Sequence, residues 1–122
     1  MSPPPQPPSV LVKAKLAYSL WFFIFNDFPK IHRYVLGDKI ESYFLELLNN
    51  IFISLYLPTT QKIEGLNKAI IKLDGLNFFL QLAWENKCIA TERYTALSKQ
   101  LYEIGRMLGG WKKGLEKKTL AL

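Results

Sequence analysis

The sequence predicts an all-α domain, an antiparallel up-down-up-down bundle of four helices, and three observations predict it. Apolar residues recur at steps of three and four along four long stretches, the period of a helix with one buried face. Only short connections separate the stretches, at Pro29, at Pro58 and at Lys87-Cys88-Ile89-Ala90, which makes successive helices antiparallel neighbours. No stretch alternates strictly as a strand would. At 122 residues, 49% of them apolar, the chain is one domain able to bury a core. It divides into a disordered Pro-rich leader over residues 1–9, a helical domain over residues 10–118 and a C-terminal tail over residues 119–122.

Residues 2–8, Ser-Pro-Pro-Pro-Gln-Pro-Pro, read as an extended polyproline-type tail, either a ligand for an aromatic groove or a loose leader. The first helix runs from about Val10 to Phe25 with the core stripe Val10, Ala14, Ala17, Trp21 and Ile24. Leu16, Tyr18, Leu20, Phe22, Phe23 and Phe25 leave it almost no polar face after Lys15. This run is too short for a bilayer span, which needs about 20 apolar residues. It has no small-residue cleavage site either, so no membrane role and no secretory signal are expected. A helix apolar nearly all round must be buried nearly all round. One small bundle cannot do that, so a subunit interface is expected.

Pro29 turns the chain. The second helix runs from about Ile31 to Leu57 through Ile40, Phe44, Leu47, Ile51 and Leu55, interrupted near its start by Gly37. Pro58-Thr59-Thr60 ends it and is expected to give the next helix a hydroxyl cap. The third helix, about Gln61 to Asn86, packs through Ile63, Leu66, Ile70, Leu73, Leu76, Leu80 and Ala83 or Trp84. Asp74 beside that stripe reads as half of a structural ion pair.

The fourth helix opens at Thr91, an N-cap, with Glu92 in the first turn where the helix dipole favours a carboxylate. Its apolar positions are Tyr94, Leu97, Leu101, Ile104, Leu108, Trp111 and Leu115, one unbroken face. At the same seven-residue repeat, on the opposite side, stand Lys99, Arg106 and Lys113. Each helix-interior glycine costs about 1 kcal/mol relative to alanine. Gly105, Gly109 and Gly110 therefore suggest another backbone approaching closely, with Trp111 anchoring the core.

Net charge is +6, of which +4 falls on residues 91–122. Such a surface holds a polyanion or serves solubility alone. A stripe of lysine and arginine attracts phosphate through counterion release, with little regard for sequence. No aromatic is interleaved with Lys99, Arg106 and Lys113 to stack bases. The candidate phosphate contacts are therefore Lys99, Arg106 and Lys113, then Lys112, Lys30, Arg33, Lys68 and Lys72. Catalytic chemistry is poorly supplied. The single histidine, His32, and single cysteine, Cys88, build neither a di-iron site nor a Cys/His zinc centre. We expect no metal, no cofactor and no catalytic residue. Cys88 excludes an internal disulfide and fits a reducing cytoplasm.

Several stretches carry a family resemblance: Phe28-Pro29-Lys30, Arg33-Tyr34-Val35-Leu36-Gly37, Lys72-Leu73-Asp74-Gly75-Leu76, Arg93-Tyr94, and Glu103-Ile104-Gly105-Arg106-Met107-Leu108-Gly109-Gly110-Trp111. Over about Lys13 to Lys113 the chain resembles the accessory variability determinant (Avd) proteins of diversity-generating retroelements. These are a branch of the four-helix-bundle proteins that includes those encoded within 23S ribosomal RNA genes. The resemblance implies a homopentameric barrel of bundles that binds the element's reverse transcriptase and its template RNA, supports mutagenic copying and performs no catalysis itself. Such proteins commonly carry arginines in the stretch aligned with Leu76 to Leu82, where this chain has Asn77 and Gln81.

The leading expectation is a non-enzymatic retroelement accessory protein. Three alternatives stay open: a bundle of the 23S intervening-sequence type, a helical module that binds a protein through its first helix and meets no nucleic acid, and an enzyme using His32.

Overall fold

A computed structural model describes residues 7–121. The chain forms α1 (Pro7–Phe25), α2 (Lys30–His32), a π-helical stretch (Arg33–Gly37), α3 (Asp38–Tyr56), α4 (Thr59–Glu85) and α5 (Thr91–Ala121). Helix α2, the π-helical stretch and α3 follow one another without a break, so the predicted second helix is one rod with a π segment near its top. The four rods form a square: α1 and α4 each pack on α3 and α5, and so stand diagonally to one another. The first rod starts at Pro7, three residues before the expected position, and residues 2–6 of the Pro-rich leader lie outside the described residues.

The core follows the predicted stripes. Val10, Ala14, Ala17, Trp21 and Ile24 of α1 are all buried, as are Leu97, Leu101, Ile104, Leu108 and Leu115 of α5. Tyr94 and Trp111 are only half-buried at the edge of that core, so Trp111 packs against it rather than lying within it. Leu66, Leu73, Leu76, Leu80 and Ala83 of α4 face inward, joined by Ala69. On α3 the buried sequence is Ile40, Phe44, Leu47, Ile51 and then Ser54, not Leu55. Here α3 crosses α4 at Gly65, where a Cβ would collide with Ser54 Oγ. The buried hydroxyl is satisfied by donating to Asn50 O at 2.7 Å. Only a small residue at each position allows this approach.

Each corner is closed by a different device. Beneath the first, Gly37 at the end of the π-helical stretch admits the Phe25 ring, whose Cε1 would lie 2.5 Å from an added Cβ. The expected hydroxyl cap of the second is not formed: Thr59 and Thr60 are already helical, no side chain caps α4, and Gln61 N and Lys62 N donate to Pro58 O at 2.8 and 3.1 Å. Proline at that position fixes the entry angle without needing a donor of its own. Lys62 instead bonds backwards, its Nζ donating to Ser54 O at 2.7 Å and Leu55 O at 2.8 Å. Those are carbonyls that the end of α3 would otherwise leave without partners. The third corner is a Schellman motif: Cys88 N donates to Ala83 O, Lys87 N donates to Trp84 O, and Lys87 takes the left-handed conformation with φ 62°. Across it, the Trp84 ring stacks on Tyr94 at 4.9 Å, and its Nε1 donates to the Thr91 hydroxyl. Among the described residues, no helix is long and apolar enough to cross a membrane.

Candidate nucleic-acid interface

The outer side of α5 carries the largest concentration of positive charge. Lys99, Arg106 and Lys113 are all exposed, opposite the buried Leu97, Leu101, Ile104 and Leu108. A seven-residue repeat drifts by only about 20° per step, so the three stay on one side of the helix. At a rise of 1.5 Å per residue, successive members stand about 10 Å apart. Arg106 pairs with Glu103 at 3.2 Å one turn back. An exposed pair of this kind contributes at most about 1 kcal/mol and is exchangeable for a phosphate contact. Lys99 and Lys113 have no ion-pair partner among the described residues.

The stripe continues towards the C-terminal end of α5. Lys117 and Lys118 are exposed and Lys112 is half-buried. Every residue from Glu116 to Leu120 is exposed, so this end of α5 is not covered by the rest of the bundle. Lysine is favourable at a helix C-terminus in its own right, and part of the basicity there stabilises α5.

The remaining predicted contacts lie elsewhere. Lys72 is half-buried in the α3–α4 groove, 3.1 Å from Glu46 and 5.4 Å from the centre of the Tyr43 ring. Lys68 lies one turn earlier on the same side, 3.8 Å from Glu64. Lys30 is exposed at the opposite end of the bundle from the tip of α5. Arg33, one turn on, is structural in its geometry. One guanidinium nitrogen donates to Phe25 O and Asn26 O at 3.3 and 3.1 Å, with Phe28 O at 3.5 Å, and the group lies over the Phe25 ring. It holds the carbonyls that α1 leaves open at its end.

The three glycines singled out in α5 part company. At Gly105 an added Cβ would meet Leu73 Cδ2 at 3.3 Å, so α4 comes close there. Gly109 and Gly110 are exposed with nothing within 4 Å, so no close approach within the chain accounts for them. Asn77 and Gln81 share the side of α4 that bears Trp84, and Gln81 bonds Glu85. The α4 edge of the α4–α5 groove is therefore uncharged at both positions. Asp74 is exposed on α4, and its expected ion pair is not formed among the described residues.

Sequence patterning gives no hint of Glu41, which joins α1 to α3. It accepts the Trp21 indole N–H at 2.9 Å and the Tyr18 hydroxyl. Nor does it single out the role of Arg93, which bonds Asp27 and lies over the Phe23 ring, tying the start of α5 to the end of α1. His32 and Cys88 line one cleft between α2 and the end of α4. The Cys88 thiol is turned onto Asn86 O, and burial pushes its pKa up. That is opposite to what an activated thiolate requires.

Residues 11–115 match a family model described as bAvd-like. No curated protein matches the chain.

Proposed function

The chain belongs to the bAvd-like family, and from that premise we propose that it is a non-enzymatic accessory protein of a diversity-generating retroelement. In this reading it is a homo-oligomeric platform, a pentamer as the family resemblance implies. It works in the cytoplasm, holding template RNA and engaging the element's reverse transcriptase during mutagenic cDNA synthesis.

The observation that carries the reading is the exposed stripe Lys99, Arg106 and Lys113 on the outer side of α5, in which only Arg106 has an ion-pair partner among the described residues. Such a stripe meets phosphates and leaves bases unread, which suits a protein that holds RNA for another to copy. The exposed apolar face of α1 supports self-association: Val12, Leu16, Phe22 and Phe23 are each more than half exposed. Polymerisation belongs to the partner. Co-expressing the tagged chain with the adjacent reverse transcriptase and template RNA tests this directly. Recovery of both on the tag is expected, and recovery of neither would refute the assignment.

The exposed Phe22 and Phe23 also favour the second reading, a protein-interaction module without nucleic acid. That module would bind its partner with little salt dependence and lose it on Phe22→Asp.

A further inference from the structure

We propose that the α5 stripe takes RNA in single-stranded form, with an unpaired base stacked on Tyr102 and the sugar-phosphate chain lying across Gly109. This rests on the RNA binding proposed above and adds which form of RNA is held, and by which uncharged residues. The absence of an aromatic among the three cations holds only at the seven-residue positions, and the three-four spacing corrects it. Along α5 stand Lys99, Tyr102, Arg106, Gly109 and Lys113, at steps of three, four, three and four, and all five are exposed. Such steps keep them in one line on one side of the helix.

The Tyr102 ring is 71% exposed. Among the described residues it meets no other aromatic ring and no cation. Tyr18, Tyr43, Tyr56 and Tyr94 each pack on another ring, and Tyr34 belongs to the π-helical stretch rather than to α5. Tyr102 thus has a ring face open to a base, with Lys99 one turn before it and Arg106 one turn after. Gly109 fills the corresponding place between Arg106 and Lys113. A glycine inside a helix is destabilising, and no packing within the chain accounts for this one, since nothing lies within 4 Å of its Cβ position. A bare patch between two cations lets a sugar-phosphate chain come down onto the helix surface.

The carboxylates nearby leave this line clear. Glu103 lies beside it and pairs with Arg106, while Glu92 and Glu116 occupy the next positions beyond its two ends. Across the α4–α5 groove α4 presents the uncharged, exposed Asn77 and Gln81, with the exposed Asp74 one turn from Asn77.

These features distinguish a single strand from a duplex. A duplex keeps its bases stacked inside and offers the stripe only phosphates. An unpaired base can be splayed out onto an aromatic ring, and such stacking is indifferent to which base it is. The stripe therefore selects unpaired RNA while leaving its sequence unread.

The test measures binding of the full chain to a labelled oligouridylate RNA and to its duplex with oligoadenylate, at one salt concentration. Tyr102→Ala should weaken single-strand binding by roughly 5- to 100-fold, the range for losing one stacked base. Its duplex affinity should stay within about twofold of wild type, because no charge is removed. Tyr102→Phe should keep single-strand binding. Gly109→Leu, which adds a side chain and removes no charge, should weaken it. Both positions are exposed, and unchanged far-UV circular dichroism shows that folding is not at fault. A wild type that binds neither RNA would overturn the RNA reading and this proposal together. A wild type that binds both leaves the RNA reading standing. Stacking is then overturned if Tyr102→Ala binds the single strand as wild type does, or loses both RNAs alike. It is overturned equally if Tyr102→Phe binds as weakly as Tyr102→Ala, or if Gly109→Leu binds as wild type does.

Discussion

The indole N–H of Trp21 donates to Glu41 Oε1 across the α1–α3 junction at 2.9 Å, and Trp21 is completely buried. The same carboxylate accepts the Tyr18 hydroxyl from the next turn of α1. The most aromatic helix of the bundle is thus fixed in rotation by one acidic side chain. That fixes which of its residues go in: Trp21 inward, Phe22 and Phe23 outward.

Replacing Glu41 by alanine leaves a buried indole donor without a partner, which should cost about 2–3 kcal/mol in a urea titration. Glu41→Gln keeps an acceptor and should cost less. A Glu41→Ala protein as stable as wild type would show that the Trp21 bond contributes nothing.

The phenol of Tyr18 responds to pH through the same carboxylate. Burial first, then the hydrogen bond to Glu41 and its charge, push its pKa from 10.0 to about 12. The folded chain thus holds this proton more tightly than the unfolded one. The associated stability is whole below the unfolded value of 10.0 and is lost as the pH rises through about 12. The stability difference between wild type and Tyr18→Phe should therefore be constant up to pH 10.0 and change only above it. A difference that drifts between neutral pH and about 9 contradicts this linkage.

The glycines should separate into two classes. Gly65→Ala drives a Cβ into Ser54 Oγ and should destabilise by about 1–3 kcal/mol, the range for an overpacked contact. Gly109→Ala meets nothing within the chain and should stabilise the isolated bundle by about 0.5–1 kcal/mol. Thermal melts of dilute protein compare the two, and equal effects would contradict the distinction.

Arg33→Ala should lower stability by about 1–2 kcal/mol through the released carbonyls of the first corner, while RNA affinity of the folded variant stays within about twofold of wild type. A large drop in affinity with unchanged stability would return Arg33 to the phosphate-binding set.

The cores of α1 and α5 are legible in the sequence because every inward position obeys the three-four repeat, from Val10 to Ile24 and from Leu97 to Leu115. Where hydrophobicity and spacing disagree, spacing wins: Ser54 continues the α3 repeat from Ile51, and the more apolar Leu55 lies only half-buried. The π-helical stretch at Arg33–Gly37, the Arg33 grip on α1 and the Glu41 bridge have no periodic trace. They depend on partners that meet only once the helices pack. Lys72, a candidate phosphate contact by sequence, turns instead onto Glu46 and Tyr43 of α3. A sequence gives the angle of a residue about its own helix, and only the packed bundle says which neighbour lies there.

The basic stripe is tested most directly by RNA affinity measured across a salt series for wild type and for Arg106→Glu with Lys113→Glu. The wild type should bind with an affinity that falls linearly in log–log form. The variant should bind more weakly at every salt, with a slope shallower by about one for each phosphate it no longer neutralises. Equal affinities and equal slopes for the two proteins would contradict the account.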